Sequence, residues 1–116
     1  MSCLNLAPLK WDWPDLKRGD TLPASIITET TGDTILSRVR ITIKSAATGL
    51  VALTLDSTTS GVTITTATAG AWDFTIGPIT AATTETLTEG FYSYELESFD
   101  PAGTVRTEFE GSWKII

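Results

Sequence analysis

Apolar and polar residues alternate along much of this chain. In Leu36–Lys44, Val39, Ile41 and Ile43 fall on one side and Arg38, Arg40, Thr42 and Lys44 on the other. In Ala71–Ile76, Trp72, Phe74 and Ile76 oppose Asp73 and Thr75. In Phe91–Phe99, Tyr92, Tyr94 and Leu96 alternate with Ser93, Glu95 and Glu97. In Val105–Ile115, Phe109, Trp113 and Ile115 alternate with Glu108, Glu110, Ser112 and Lys114, and Gly111 falls on the apolar side. A period of two puts successive side chains on opposite faces, so each stretch reads as a strand with one dry and one wet face.

Weaker alternation predicts further strands over Thr21–Glu29, Leu50–Leu55 and Val62–Thr66, and a short first strand near Leu9–Trp13. Turn chemistry separates them. Asp100–Gly103 (DPAG) carries Pro second and Gly fourth, a type I signature, and joins two strong strands into a hairpin. Gly49, Gly61 and Gly70 mark other turns. Thr80–Thr88 lacks alternation and is read as a loop or a single helical turn crossing between sheets. No stretch holds helical periodicity over the roughly 12 residues a core helix needs. About seven short strands at this spacing predict an all-β, antiparallel two-sheet sandwich or small barrel. Residues 1–15, with Trp11, Trp13, Pro8 and Pro14, are expected to form an extended N-terminal arm outside a domain spanning 16–116.

Composition sharpens this picture. At 116 residues the chain suits one domain. Its 22 threonines suit pleated, half-exposed surface, because Thr is β-branched and stiff at χ1. The net charge of −6 argues against nucleic-acid binding, which needs clustered Lys and Arg. The single cysteine, Cys3, cannot close an internal disulfide, and a reduced thiol is expected there. No apolar run approaches the ~18 residues that would span a bilayer, and the N-terminus lacks a secretory pattern. Neither a membrane nor a nucleic acid is therefore an expected partner.

Candidate chemistry is sparse. The absence of histidine removes Ser-His-Asp and Cys-His nucleophilic sites and the commonest zinc ligand. Glu95/Glu97 and Glu108/Glu110 lie two apart, and each pair is expected to share a solvated sheet face. A catalytic acid there would lack the sheltered pocket that raises its pKa. Asp12, Asp15 and Asp20 miss the spacing of a calcium loop. Arg18-Gly19-Asp20 spells an integrin-recognition tripeptide, but is read as a turn entering a strand. The expectation is no catalytic residue, no cofactor and no metal. The aromatics Trp72, Tyr92, Tyr94, Phe109 and Trp113 are expected in the core. Trp11, Trp13 and Pro14 are the candidate partner contacts, since Trp is enriched at interface hot spots, with packing of the two indoles back on the sheet edge as the other reading. Arg38 and Arg40, with Lys44, are a second candidate set that could meet an acidic subunit.

Two long stretches resemble a known family. Leu16–Lys44 (LKRGDTLPASIITETTGDTILSRVRITIK) is similar to the opening of the immunoglobulin-like domain of phage baseplate upper proteins and related tail-fibre proteins. It carries the basic-Gly-Asp-Thr element, a strand, a small polar loop and a strand holding an Arg. Leu87–Ile115 (LTEGFYSYELESFDPAGTVRTEFEGSWKI) resembles the family's ending, and Ala71–Ile76 its middle strand. The resemblance implies an immunoglobulin-like β-sandwich and a non-enzymatic virion protein. Such a protein would decorate a capsid or sit at a neck, tail or baseplate joint, bound to other phage structural proteins. It would be present as a homo-oligomer or in multiple copies in the particle, assembled in the bacterial cytoplasm. A host-surface or carbohydrate-binding module, with Trp11 and Trp13 as a stacking platform, is the alternative. A hydrolase built on paired carboxylates is the third.

Overall fold

The computed structural model describes residues 9–29 and 34–116. Cys3 and the first eight positions of the expected arm lie outside the described residues. The order of elements is β1 (Leu9–Lys10), β2 (Ser25–Glu29), β3 (Arg38–Ser45), β4 (Val51–Asp56), β5 (Val62–Thr68), β6 (Ala71–Ile76), α1 (Ala81–Glu85), β7 (Gly90–Phe99) and β8 (Val105–Ile115). Each strongly alternating segment forms a strand, and the Thr80–Thr88 stretch supplies one five-residue helical turn, capped by the Thr80 side chain accepting from the Thr83 amide.

The strands make two sheets, β1-β8-β7-β3-β4 and β2-β6-β5. Every pairing within them is antiparallel except β1 with β8. The order β2-β6-β5 stacked on β8-β7-β3-β4 is that of an immunoglobulin-like sandwich. A tyrosine corner supports the assignment. The Tyr92 hydroxyl, near the start of β7, donates 2.6 Å to the Thr88 carbonyl four residues upstream. Two residues on, where disulfide-bearing immunoglobulin domains carry their second cysteine, this chain has Tyr94.

The inward faces interlock as the alternation requires. Val39, Ile41 and Ile43 of β3, Tyr92, Tyr94 and Leu96 of β7, and Trp113 and Ile115 of β8 are buried against Trp72, Phe74 and Ile76 of β6 and Val62 of β5. The Asp100–Gly103 turn closes as predicted, with the Gly103 amide donating 3.0 Å to the Asp100 carbonyl.

The N-terminal segment corrects the expectation of a free arm. From Leu9 onward it runs parallel to β8. The amides of Trp11, Trp13, Leu16 and Arg18 donate to the carbonyls of Glu110, Ser112, Lys114 and Ile116 at 2.8–3.2 Å. Asp12 Oδ1 accepts from the Ser112 amide at 2.9 Å. Residues 9–15 are thus an integral part of the sheet, and the structure shows no boundary at residue 16. Gly111 makes this possible, because a Cβ there would lie 1.9 Å from the Trp11 carbonyl oxygen and 2.8 Å from the Tyr94 hydroxyl. Gly111→Ala is therefore expected to lower stability by about 1–3 kcal/mol through forced displacement of the segment. Urea denaturation followed by tryptophan fluorescence checks this, and an unchanged midpoint would contradict it.

Candidate interaction surface

Trp13 does not stand ready for a partner. It is 6% exposed, its ring centroid lies 4.3 Å from that of Tyr94, and it meets Trp113 edge-on at 5.1 Å. Trp11 is partly buried and packs on Trp13, Tyr94 and Phe109. Of the readings open for this pair, packing back on the sheet is the one the structure shows, in place of a partner contact or a sugar platform: the parallel pairing with β8 turns the two indoles toward the gap between the sheets. Pro14 is exposed beside them. Burial pushes the Tyr94 phenol above its ordinary pKa, and the nearby Asp12 charge adds to the shift.

The broad outer face of the five-stranded sheet carries the other predicted set. Arg38 and Arg40 lie together here, both stacked on Phe99 with guanidinium carbons 4.8 and 5.1 Å from its ring centroid. Their charges are already matched within the chain. Arg38 grips Asp56 through both carboxylate oxygens, and Arg40 pairs with Glu97 at 2.9 Å. They are thus not free cations awaiting an acidic subunit. Sequence reading missed Asp56, which sits at the end of β4 and is 4% exposed. Its carboxyl is held down at about 2 by the Arg38 guanidinium, helped by the Thr58 amide and hydroxyl. The only early signal was an Asp closing an apolar strand.

Between Arg40, Thr42 and Lys44 of β3, Val51 of β4, and Ser93, Glu95 and Glu97 of β7 lies a shallow open depression of about 370 Å³. It forms because Thr42 and Ser93 are short and their neighbours long. Phe91, Leu50 and Val51 are exposed large hydrophobic residues near one end. Lys114 Nζ lies 5.1 Å from the Phe91 ring centroid. Lys10 pairs with Glu110 at 2.8 Å. Among the described residues, Lys44 and Glu95 are on this face without an ion-pair partner.

The two carboxylate pairs fare differently. Glu95 and Glu97 share the outer face as expected, each opposite a β3 residue. Glu108 and Glu110 do not share a face. A register shift between Leu96 and Glu97 leaves Glu108 as the extra residue of a bulge, and bulges re-aim side chains. Glu108 instead accepts from Ser98 Oγ at 3.0 Å and pairs with Arg106 at 2.7 Å. Glu29, at the end of β2, approaches it. Burial, and then the Glu108 charge, raise the Glu29 pKa, with Arg106 partly opposing.

Arg18-Gly19-Asp20 sits in an exposed turn closed by the Asp20 amide donating 2.9 Å to the Lys17 carbonyl. Gly19 takes φ +90 there, which glycine adopts without strain. The turn is anchored by Arg18 Nε donating 3.0 Å to the Glu85 carbonyl. This matches the structural reading of the tripeptide.

No protein-family model matches the chain, and no curated protein is significantly similar to it. Solved structures of similar shape include CopC from Methylosinus trichosporium OB3b, at 10% identity over 94% of this chain and 83% of that one, with TM-score 0.42. Murine CRIg is similar at 10% identity over 94% and 93%, with TM-score 0.38. The Ig1 domain of mouse SynCAM 2 is similar at 12% identity over 97% of both chains, with TM-score 0.33. The immunoglobulin-like class rests on strand order and the tyrosine corner rather than on these likenesses.

Two carboxyls should leave opposite marks on the pH dependence of stability. Glu29 has a raised folded pKa, so its contribution is present at acid pH and is lost as pH rises through that folded value. Glu29→Gln should therefore stabilise the protein at pH 7, read as a higher thermal midpoint. Asp56 has a lowered pKa, so its contribution is present above 3.8 and is lost as pH falls toward about 2. Asp56→Asn should cost roughly 2 kcal/mol at neutral pH and flatten the acid limb. A variant with the wild-type acid profile would refute the Arg38–Asp56 assignment.

Proposed function

We propose that this protein is a non-enzymatic structural or accessory component of a bacteriophage particle, binding other particle subunits at the capsid, neck, tail or baseplate. The observation that carries the reading is the outer face of the five-stranded sheet. It is broad and shallow, with charges set in rows, short residues between them and exposed Phe91, Leu50 and Val51 at one end. Such a surface suits contact with another protein, where apolar anchors sit beside a polar rim. The phage assignment draws on the resemblance of Leu16–Lys44 and Leu87–Ile115 to the immunoglobulin-like domains of baseplate upper and tail-fibre proteins. In the structure the second stretch is the β7–β8 hairpin with its tyrosine corner.

The binding is carried by surface complementarity, and no covalent chemistry is assigned to any residue. Subunits of a particle follow its symmetry, so the chain would be present in a fixed number of copies per particle. Mass spectrometry of gradient-purified virions tests this directly. The expected result is a constant ratio of this chain to the major capsid or tail protein across fractions. Recovery only in the soluble lysate would reject the virion role.

A further inference from the structure

We propose that the outer face of the five-stranded sheet is a self-complementary dimer surface, pairing Lys44 with Glu95 and Lys114 with Asp12 of a second copy. A second copy on this face takes the place that the virion reading gives to a neighbouring subunit, so the inference rests on that reading and names the occupant; strand register carries it.

Lys44 lies opposite Ser93, and Thr42 opposite Glu95. Glu95 is therefore one strand across and two residues along from Lys44. Lys114 lies opposite Phe91, and Ser112 opposite Ser93. Asp12 lies alongside Ser112, whose amide and hydroxyl it binds through Oδ1 at 2.9 and 3.2 Å. Asp12 is thus also one strand across and two residues along from Lys114, in the same sense. Strands lie about 4.8 Å apart and two residues rise about 6.8 Å, so on the register lattice, before strand twist is added, the two Lys-to-acid diagonals are parallel and of equal length.

The two lysines are offset by two strands in one direction and two residues in the other. With the same spacings, the Lys44-to-Lys114 line meets the Lys-to-acid diagonals at close to a right angle. One two-fold axis lying in the face therefore bisects both pairs. A second copy placed by that axis sets Lys44 against Glu95, Glu95 against Lys44, Lys114 against Asp12 and Asp12 against Lys114.

Thr42, Ser93 and Ser112 lie along the axis itself. All three are small, which allows the two sheets to approach, and the depression over Thr42 and Ser93 leaves room for the incoming Lys44 stem. Lys44, Glu95 and Asp12 are exposed in the single copy. Five strands and four residue rows give a face of about 600 Å² per copy, or about 1,200 Å² in total, at the low end of specific interfaces. This geometry also explains how a chain of net charge −6 could tolerate a copy of itself, because each buried acid meets a base.

The test is sedimentation equilibrium of the full chain from about 1 to 100 µM, in low and high salt. The expected result is a monomer–dimer equilibrium that weakens at least several-fold with salt. Lys44→Glu and Glu95→Lys should each weaken dimerisation at least tenfold. The double variant Lys44→Glu/Glu95→Lys should restore it, because the pair is re-formed across the axis with its signs exchanged. Thermal midpoints of all variants, measured at a concentration where the chain is monomeric, separate lost association from lost folding. A strictly monomeric wild type, or a double variant that does not recover, overturns the proposal. Should a single variant fail to fold, salt dependence and the double variant still decide. Loss of the dimer without loss of virion incorporation would separate this inference from the functional reading.

Discussion

The sandwich depends on one close approach, the passage of the Trp11 carbonyl over Gly111. No side chain larger than hydrogen fits between the N-terminal segment and β8 at that point. Once the segment lies flat, its amides reach alternate carbonyls of β8 and its two indoles turn inward. Trp13, Tyr94 and Trp113 then form a continuous aromatic wedge where the sheets part. The same contact covers the outer edge of β8, which would otherwise offer unpaired backbone groups to any passing strand.

The core was written plainly in the alternation. The inward residues of β3, β6 and β7 are the apolar members of each two-residue period, and nearly all are buried. The Asp100–Gly103 hairpin was equally clear, because its turn chemistry is local. The role of residues 9–18 was not. A parallel partner about 100 residues away leaves no periodic trace in a segment broken by Pro14 and several charges. The missing pattern leaves Trp11 and Trp13 open between packing on the sheet edge and meeting a partner, and tertiary pairing decides for packing. On the candidate surface, the outward placement of Arg38, Arg40 and Lys44 was legible. The matching of two of them by Asp56 and Glu97 was not, since it depends on which strands are neighbours.

The bulge at Glu108 shows how one extra residue can undo a correct rule. Counting by twos places Glu108 beside Glu110 on the wet face. The inserted residue reverses the parity beyond it and brings Glu108, Arg106 and Ser98 together near Glu29 of the other sheet. Two carboxylates thereby come close at the end of the sandwich where β2 leaves and the β7–β8 hairpin turns. The flat charged face and this sheltered acidic corner belong to the same two strands, and one residue separates their characters.

The parallel run of residues 9–18 along β8 also bears on how the fold would respond to force. Leu9 and Ile116 lie at opposite ends of that run, and the bonds from Trp11, Trp13, Leu16 and Arg18 cross between the two strands. Tension applied between those two residues would slide one strand past the other and load these bonds together, rather than peeling them singly. Resistance to such pulling is a matter of unfolding rate rather than equilibrium stability. A module strung into an assembly through those two points would act as a stiff link rather than a yielding one.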